Sequence, residues 1–204
     1  MLPRRFFCIL FALVLLSACS TQTLKPTPTT PQQNANWEQH QSTLDGIKQW
    51  KISGRFGAQS EEESWNGSIN WVQSNDEYQI NISGPLSSGS FSLHGDAKLS
   101  KLQIEKDKIY EAEDPELLLE TYTGLRLPIN NLRYWIIGKP SPLDSSSKVT
   151  LSSNGLLSQL TQKGWEITFR NYTKVNNISL PNKIFLENHE FDVRLAIKNW
   201  QLLG

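Results

Sequence analysis

The chain has 204 residues, and its 20 basic residues balance its 20 acidic ones, so the formal net charge is zero. This length is enough for one sizeable folded domain, and the balanced charge gives no electrostatic reason to expect a nucleic-acid partner. With two cysteines in the whole chain, Cys8 and Cys19, the sequence excludes a disulfide framework or a cysteine-based metal site beyond the N-terminal region.

The N-terminal region has the pattern of a bacterial lipoprotein signal. Two arginines precede a short uncharged apolar run at 6–16, and the sequence LSAC then places small residues before Cys19. The run is shorter than the roughly 20 apolar residues that a membrane-spanning helix needs. We therefore predict a cleaved signal peptide at 1–18 and acylation of Cys19 as the first residue of the mature protein. The alternative is an ordinary secretory signal in which Cys19 has no role.

Residues 19–35 are predicted to form a flexible tether. They are rich in Thr, Gln, Asn and Pro and carry almost no apolar side chains, so they cannot bury enough surface to offset the entropy lost on ordering. Folding is predicted to begin near Asn36, a possible N-cap, because apolar residues from Trp37 to Ile47 recur at near-helical spacing. A single domain then covers residues 36–204.

From Trp50 onward, apolar and polar residues alternate with a period of two, which is typical of half-buried antiparallel strands. The clearest runs are at 78–83, 165–170 and 193–198. Dipeptides that favour turns lie between the runs, at 75–76, 95–96, 106–107 and 154–155. Many short strands at this spacing predict an antiparallel sandwich or barrel.

Two short helices are predicted to interrupt the strands. The first begins at the N-cap Asp114, with Pro115 in its first turn, and ends at Gly124. The second lies around 130–137, where apolar residues recur with helical spacing. Because both helices are strongly apolar on one side, we expect them to cover the concave face of a curved sheet.

Motifs for catalysis are not evident in the sequence. Its three histidines are scattered, and it lacks a nucleophile elbow, a phosphate-binding glycine loop and a dinucleotide fingerprint. Ser145 and Lys148 match the bare S-x-x-K spacing of serine acyl-enzymes, but the serine-rich stretch around them indicates a surface loop. The acidic run at 61–63 is interpreted as a charged hairpin tip. We predict no enzyme activity, no cofactor and no metal.

Seven tryptophans follow the predicted signal peptide. They can build an ordinary core, or some of them can line an apolar cavity between sheet and helices, as aromatic residues commonly do in ligand sites. Both interpretations stay open at the level of sequence. The candidates for a cavity wall are Trp71, Ile80, Phe91, Leu118, Trp135 and Trp165.

The segment 83–90 joins two predicted strands and contains small or turn-forming residues apart from Leu86. A leucine left in water there forgoes roughly 1.5–3 kcal/mol of burial free energy. Leu86 is therefore either an exposed residue with a function or a residue that folds back onto the core.

The order of several short motifs resembles the LolB family of outer-membrane lipoprotein receptors and insertion factors. The motifs are WEQHQ at 37–41, SGRF at 53–56, GPL at 84–86, TGLRLP at 123–128, LRYWIIG at 132–138, GW at 164–165, LP at 180–181 and KNW at 198–200. The resemblance runs collinearly from the cysteine motif to Trp200 and is strongest at 123–138. In one departure, Ser87 and Ser88 precede Gly89, where the family often has glycine directly after the leucine.

The resemblance implies a mainly β protein with short helices, an incomplete and strongly curved antiparallel barrel of about eleven strands whose mouth the helices cover. Its interior would hold the acyl chains of lipoprotein cargo delivered by the periplasmic carrier LolA. Cys19 would anchor a monomer in the outer membrane, facing the periplasm, and Leu86 would engage outer-membrane lipid. Arg55, Arg126 and Arg133 are candidates for a basic patch facing the carrier.

Two other functions remain open at this point. One is a lipid-anchored structural or assembly factor of the outer membrane that binds protein rather than acyl chains. The other is a periplasmic hydrolase, which the missing nucleophile motifs disfavour.

Overall fold

The computed structural model describes residues 29–84, 90–105 and 108–204, and within these ranges the chain forms eleven strands and three helices. The predicted signal peptide, Cys19, Leu86 and the turn at 106–107 lie outside the described residues. In chain order the elements are α1 (Pro31–Asp45), β1 (Gln49–Gln59), β2 (Ser64–Ser74), β3 (Glu77–Ser83), β4 (Phe91–Gly95), β5 (Ser100–Glu105), β6 (Lys108–Ala112), α2 (Pro115–Thr123), α3 (Ile129–Trp135), β7 (Ser147–Leu151), β8 (Leu157–Gln162), β9 (Trp165–Val175), β10 (Ile178–Glu187) and β11 (Asp192–Leu202).

The described strands form one open antiparallel sheet in the order β6-β5-β4-β3-β2-β1-β11-β10-β9-β8-β7. β1 and β11, far apart in the chain, pair at its centre, whereas β6 and β7, neighbours among the strands in sequence, form its two edges. The connection between β6 and β7 contains α2 and α3, so these helices carry the chain across the sheet from one edge to the other. The prediction of an eleven-stranded, incomplete antiparallel barrel is confirmed.

Alternation decides which side chains enter the core. In β3, Tyr78, Ile80 and Ile82 are buried, whereas Gln79 between them is exposed. The same pattern recurs in β8 to β11, and the inward side chains join those of the helices in one hydrophobic core. One sheet therefore buries one face against its own helices, without a second sheet.

A bulge bends the sheet at its centre. The pairing of β1 with β11 shifts register between Ser53 and Gly54. A Cβ atom on Gly54 would lie 2.1 Å from the carbonyl oxygen of Ala196, which no side chain can tolerate. Glycine at this position thus permits the close backbone approach, and the bulge adds curvature where the two terminal strands meet.

The helix α2 has the predicted boundaries. The Asp114 side chain accepts hydrogen bonds from the backbone N–H groups of Glu116 and Leu117, and Gly124 ends the helix in the left-handed conformation with a φ of 70°. The second predicted helix is also present as α3, although it begins at Ile129 and ends at Trp135.

The predicted start of the first helix at Asn36 is wrong, because α1 begins at Pro31. Thr30 and Gln33 form a capping box: the Thr30 side chain accepts from Gln33 N, and Gln33 Oε1 accepts from Thr30 N at 2.7 Å. Residues 31–35 therefore belong to a helix and not to the predicted tether. None of the helices in the described ranges has the length and hydrophobicity needed to span a bilayer.

Candidate functional site

An apolar cavity lies between the sheet and the two crossing helices. Strands β1–β4, β10 and β11 supply one side of its wall, and every lining residue is hydrophobic. From the helical side the wall is made by Leu119, Leu127, Ile129, Leu132 and Ile136. Four strands separate β4 from β10 in the sheet, yet both reach this one small cavity. The sheet must therefore curve strongly around it.

The cavity is nearly filled by its own side chains. Its volume is about 30 Å³, which is space for about two water-sized spheres. An acyl chain is many times larger than this. The helical side and the sheet side are thus packed against each other in this conformation, and a larger apolar ligand requires them to separate.

Three of the six predicted wall residues line this cavity and three do not. Trp71, Ile80 and Phe91 project from the sheet into the wall. Leu118 and Trp165 are buried but are not part of the lining. Trp135 also lies outside the lining, because its indole faces β8 and donates a 2.8 Å hydrogen bond from Nε1 to Gln162 Oε1.

Most of the tryptophans build the core instead of the cavity wall. Trp50 contacts Trp71 and Trp200 with ring centroids 5.5 and 5.8 Å apart, and Trp37 is the buried anchor of α1. Trp71 is the tryptophan that belongs to both groups. The helical wall residues were missed from the sequence, although the i, i+3 and i+7 spacing of Ile129, Leu132 and Ile136 was a usable signal.

A buried glutamine in β8 fixes α3 and the loop that follows it. Gln162 Oε1 accepts from Trp135 Nε1 and from the backbone N–H of Ser141, both at 2.8 Å. Its Nε2 donates to the carbonyl oxygens of Ser141 and Asp144 at 2.8 and 3.0 Å. All four hydrogen-bonding positions of this amide are used, so a polar side chain that is 2% exposed is fully satisfied.

Ion pairs connect the helical region to the rest of the domain. Arg133 Nη1 on α3 lies 2.8 Å from Asp76 Oδ1 in the β2–β3 turn, and Lys139 pairs with Asp45 at the end of α1. In α2, Glu116 lies 3.4 Å from Lys163 Nζ in the β8–β9 turn. Burial raises the pKa of Glu116, and the Lys163 ammonium opposes that rise.

A second hollow, larger and polar, lies at the C-terminal end of α3. Its volume is about 270 Å³, and its charged lining residues are Asp45, Lys48, Asp76, Arg133 and Lys139. The Tyr134 ring also lies there, with the Arg133 guanidinium 4.9 Å and the Lys139 ammonium 5.9 Å from its centroid.

Two of the three arginines named for the predicted basic patch, Arg126 and Arg133, are paired with acidic residues. Arg133 is paired with Asp76, and Arg126 Nε lies 3.6 Å from Glu120 of α2.

The base of the 83–90 segment is closed by a 3.1 Å hydrogen bond from Gly84 N to Ser90 Oγ. Leu86 itself lies outside the described residues.

Comparison with known proteins identifies the family. The family model "Outer membrane lipoprotein LolB" matches residues 48–200. The chain belongs to the LolB family. The LolB proteins of Nitrosococcus oceani and Pseudomonas aeruginosa are 38% and 36% identical to it over 199 and 197 residues. These alignments cover 97% of this chain and 98% and 96% of the relatives, whose names describe outer-membrane lipoproteins.

Two solved structures share the fold at low sequence identity. A DUF1329 family protein from Desulfovibrio piger has a TM-score of 0.56 at 9% identity, covering 85% of this chain and 94% of its own. A LolA superfamily protein from Nitrosomonas europaea has a TM-score of 0.52 at 8% identity, covering 86% and 95%. The LolB chain described here thus shares its architecture with proteins outside its own family.

Proposed function

We propose that this protein is anchored in the outer membrane by acylated Cys19, faces the periplasm, and accepts lipoproteins from the carrier LolA. It holds their acyl chains between the sheet and the crossing helices and then inserts them into the outer membrane. Family membership supports the outer-membrane assignment. The observation that supports the rest is the wholly apolar wall where the sheet meets the two helices.

The chemistry of the wall favours acyl chains over a polypeptide ligand. A bound peptide brings backbone N–H and C=O groups, which cost free energy when they are buried without partners. The wall offers such groups no polar side chain. Acyl chains have no such requirement, and each buried methylene contributes about 0.8 kcal/mol. This comparison disfavours the alternative of an assembly factor that binds protein in the cavity.

Transfer of this kind needs no chemical step. Acyl chains that cannot cross water must move between apolar sites, so the direction is set by the affinity of each site. The sequence has no nucleotide-binding motif, and we propose a downhill order from carrier to this protein to bilayer. Leu86, which belongs to the 83–90 segment of the sequence, would couple release of the cargo to the membrane surface.

The central experiment is transfer in vitro. A fluorescently labelled lipoprotein in complex with LolA is mixed with the LolB chain, and the label is followed by size-exclusion chromatography. We expect the label to move to the LolB chain without nucleotide. Label that stays with LolA at every protein ratio would contradict the proposed function.

The second arm of this experiment adds liposomes and compares wild type with Leu86→Glu. We expect the variant to take up cargo as wild type does but to insert it at least tenfold more slowly, because a carboxylate resists entry into the apolar layer. Ser88→Glu, in the same segment, is the charge-matched control. Normal insertion by Leu86→Glu would remove Leu86 from the mechanism.

A further inference from the structure

The two crossing helices are held to the domain in different ways. Since the cavity is about 30 Å³, the proposed function requires part of the helical cover to move before acyl chains can enter. The inference that follows rests on that proposed function. Which part of the cover moves depends on how α2 and α3 are buried and bonded.

α3 is buried on two sides. Ile129, Leu132 and Ile136 face the cavity. Asn131 and Trp135 are four residues apart, so they share another face of the helix. They are 2% and 0% exposed, and Trp135 is bonded there to Gln162 of β8. Moving α3 would expose both buried faces and break a buried hydrogen-bond network.

The segment after α3 is tied down as well. Gln162 bonds the backbone of Ser141 and Asp144, so the same amide that holds α3 also holds its exit loop. Ion pairs from Arg133 and Lys139 reach the β2–β3 turn and α1. α3 is therefore connected to β8, α1 and the β2–β3 turn together, and it cannot leave one of them without disturbing the others.

α2 has one buried side and one exposed side. Leu118 and Leu119 are buried, whereas Leu117 and Tyr122 are 58% and 42% exposed. The apolar exposed side continues to the edge strand β6, where Tyr110 stacks on Tyr122 with ring centroids 3.7 Å apart. Displacing α2 uncovers Pro115, Leu118 and Leu119 but leaves the buried hydrogen bonds between α3 and Gln162 intact.

The polar attachment of α2 to the β8–β9 turn is an ion pair with one side chain in water. Lys163 Nζ lies 3.4 Å from Glu116, and the two side chains are 48% and 21% exposed. Because the Lys163 ammonium is partly in water, the attraction between the two charges is partly screened. By contrast, breaking a buried network such as the one around Gln162 leaves donors without partners in the core, which is more costly than losing a partly screened pair.

Both ends of α2 are capped from within its own segment. Asp114 caps the first turn, and the Gly124 N–H donates to the carbonyl of Glu120 at 2.9 Å. The helix can therefore move as an intact unit without losing its caps. The left-handed backbone of Gly124 separates it from the segment that leads into α3.

We propose that α2 is the moving part of the cover and α3 the fixed part, so that acyl chains enter the cavity where α2 separates from the β8–β9 turn. Breaking the Glu116–Lys163 pair opens this side, and Leu119 leaves the cavity wall with the helix. Gln162 acts as a positioning residue, because it keeps α3 on the sheet while α2 is displaced.

The test compares two bridges of similar design on the mature lipid-anchored protein. Cysteines replace both members of one ion pair, either Glu116 and Lys163 or Asp76 and Arg133, and a short bismaleimide joins them. The natural cysteines are Cys8, which leaves with the predicted signal peptide, and Cys19, which is predicted to be acylated. In the mature chain the engineered pair therefore supplies the reactive thiols. Uptake is measured with a fluorescent peptide that carries a triacylated N-terminal cysteine.

We expect the 116–163 bridge to lower the rate of uptake at least tenfold and the 76–133 bridge to leave it within twofold. Uptake that survives the 116–163 bridge, or that the 76–133 bridge blocks, would overturn the assignment of the moving part. The unbridged double variants separate this result from misfolding, because both should still take up the peptide, and the 116–163 variant, which lacks the ion pair, should do so at least as fast as wild type. If wild type itself fails to bind the peptide, the proposed function fails, and the inference that rests on it fails as well.

Discussion

Two hollows border α3, one apolar and one polar. The apolar cavity, which is proposed to bind acyl chains, is the smaller of the two. The apolar cavity has a volume of about 30 Å³, whereas the polar hollow has about 270 Å³. Burying apolar walls against each other stabilises the fold, whereas burying charged walls costs hydration free energy, so they remain in contact with water. A small apolar cavity under the helix proposed to move is therefore a better candidate for a lipid site than a larger polar hollow lined by charged residues.

The largest effect is expected from replacing Gln162, whose hydrogen bonds hold α3 between the two hollows. Gln162→Leu leaves Trp135 Nε1 and Ser141 N without their acceptor in a buried site. At about 1–3 kcal/mol for each unsatisfied donor, we expect the free energy of unfolding to fall by about 4 kcal/mol. Urea denaturation measures this loss. Gln159→Leu, at an exposed position of the same strand, should change stability by less than about 0.5 kcal/mol.

A second test acts on the apolar cavity through α2. Leu119 is fully buried in its wall and Leu117 is exposed on the same helix. We expect Leu119→Ala to destabilise the fold by about 3 kcal/mol, since it removes buried methylenes and leaves space behind. Leu117→Ala should cost less than about 0.5 kcal/mol. Equal losses in thermal or urea unfolding would show that α2 does not pack as described.

A third test acts on the polar hollow. Asp76→Asn removes one charge of the Arg133 pair, at a position where Asp76 is 63% exposed. We expect a loss of at most about 1 kcal/mol, which shrinks further at high salt because the pair is screened. Uptake of the triacylated peptide should not change. A defect in uptake with normal stability would instead give the polar hollow a direct role in binding.

The smallest effect is expected at α1, which borders the polar hollow at its C-terminal end. Burial lowers the pKa of His40 below 6.5, and a hydrogen bond with the Ser179 backbone opposes this. Since the unfolded state takes up the proton more readily, stability should be fully present above pH 6.5 and decline as the pH falls below that value. The urea midpoint measured between pH 7.5 and 5 should show the decline. His40→Gln should show a weaker pH dependence in the same range.

The strands and α2 could be predicted because local chemistry determines them. Alternation shows directly which residues of β3 face inward, and the pair Asp114 and Gly124 marks both ends of a helix. The start of α1 was missed because the helix is mostly polar. It buries Trp37 and Leu44, and the capping box of Thr30 with Gln33 was the signal that could have located it.

The cavity wall could be predicted only in part, because it depends on the rotation of each helix about its axis. Residues 117–119 are three consecutive leucines, yet Leu117 is exposed and, of the three, only Leu119 lines the cavity. Trp135 and Ile136 are neighbours that face different surfaces, β8 and the cavity. Which neighbour faces the cavity is decided by contacts with distant strands.

The central pairing of β1 with β11 affects when the chain can fold during its synthesis. Trp50 must meet Leu202, about 150 residues later, before the middle of the sheet exists. Contacts this distant in sequence form slowly, and a partly synthesised chain has no strand to complete its centre. For a protein predicted to cross the inner membrane behind a signal peptide, this delay is useful. The centre of the sheet cannot be completed until nearly all of the chain has been made.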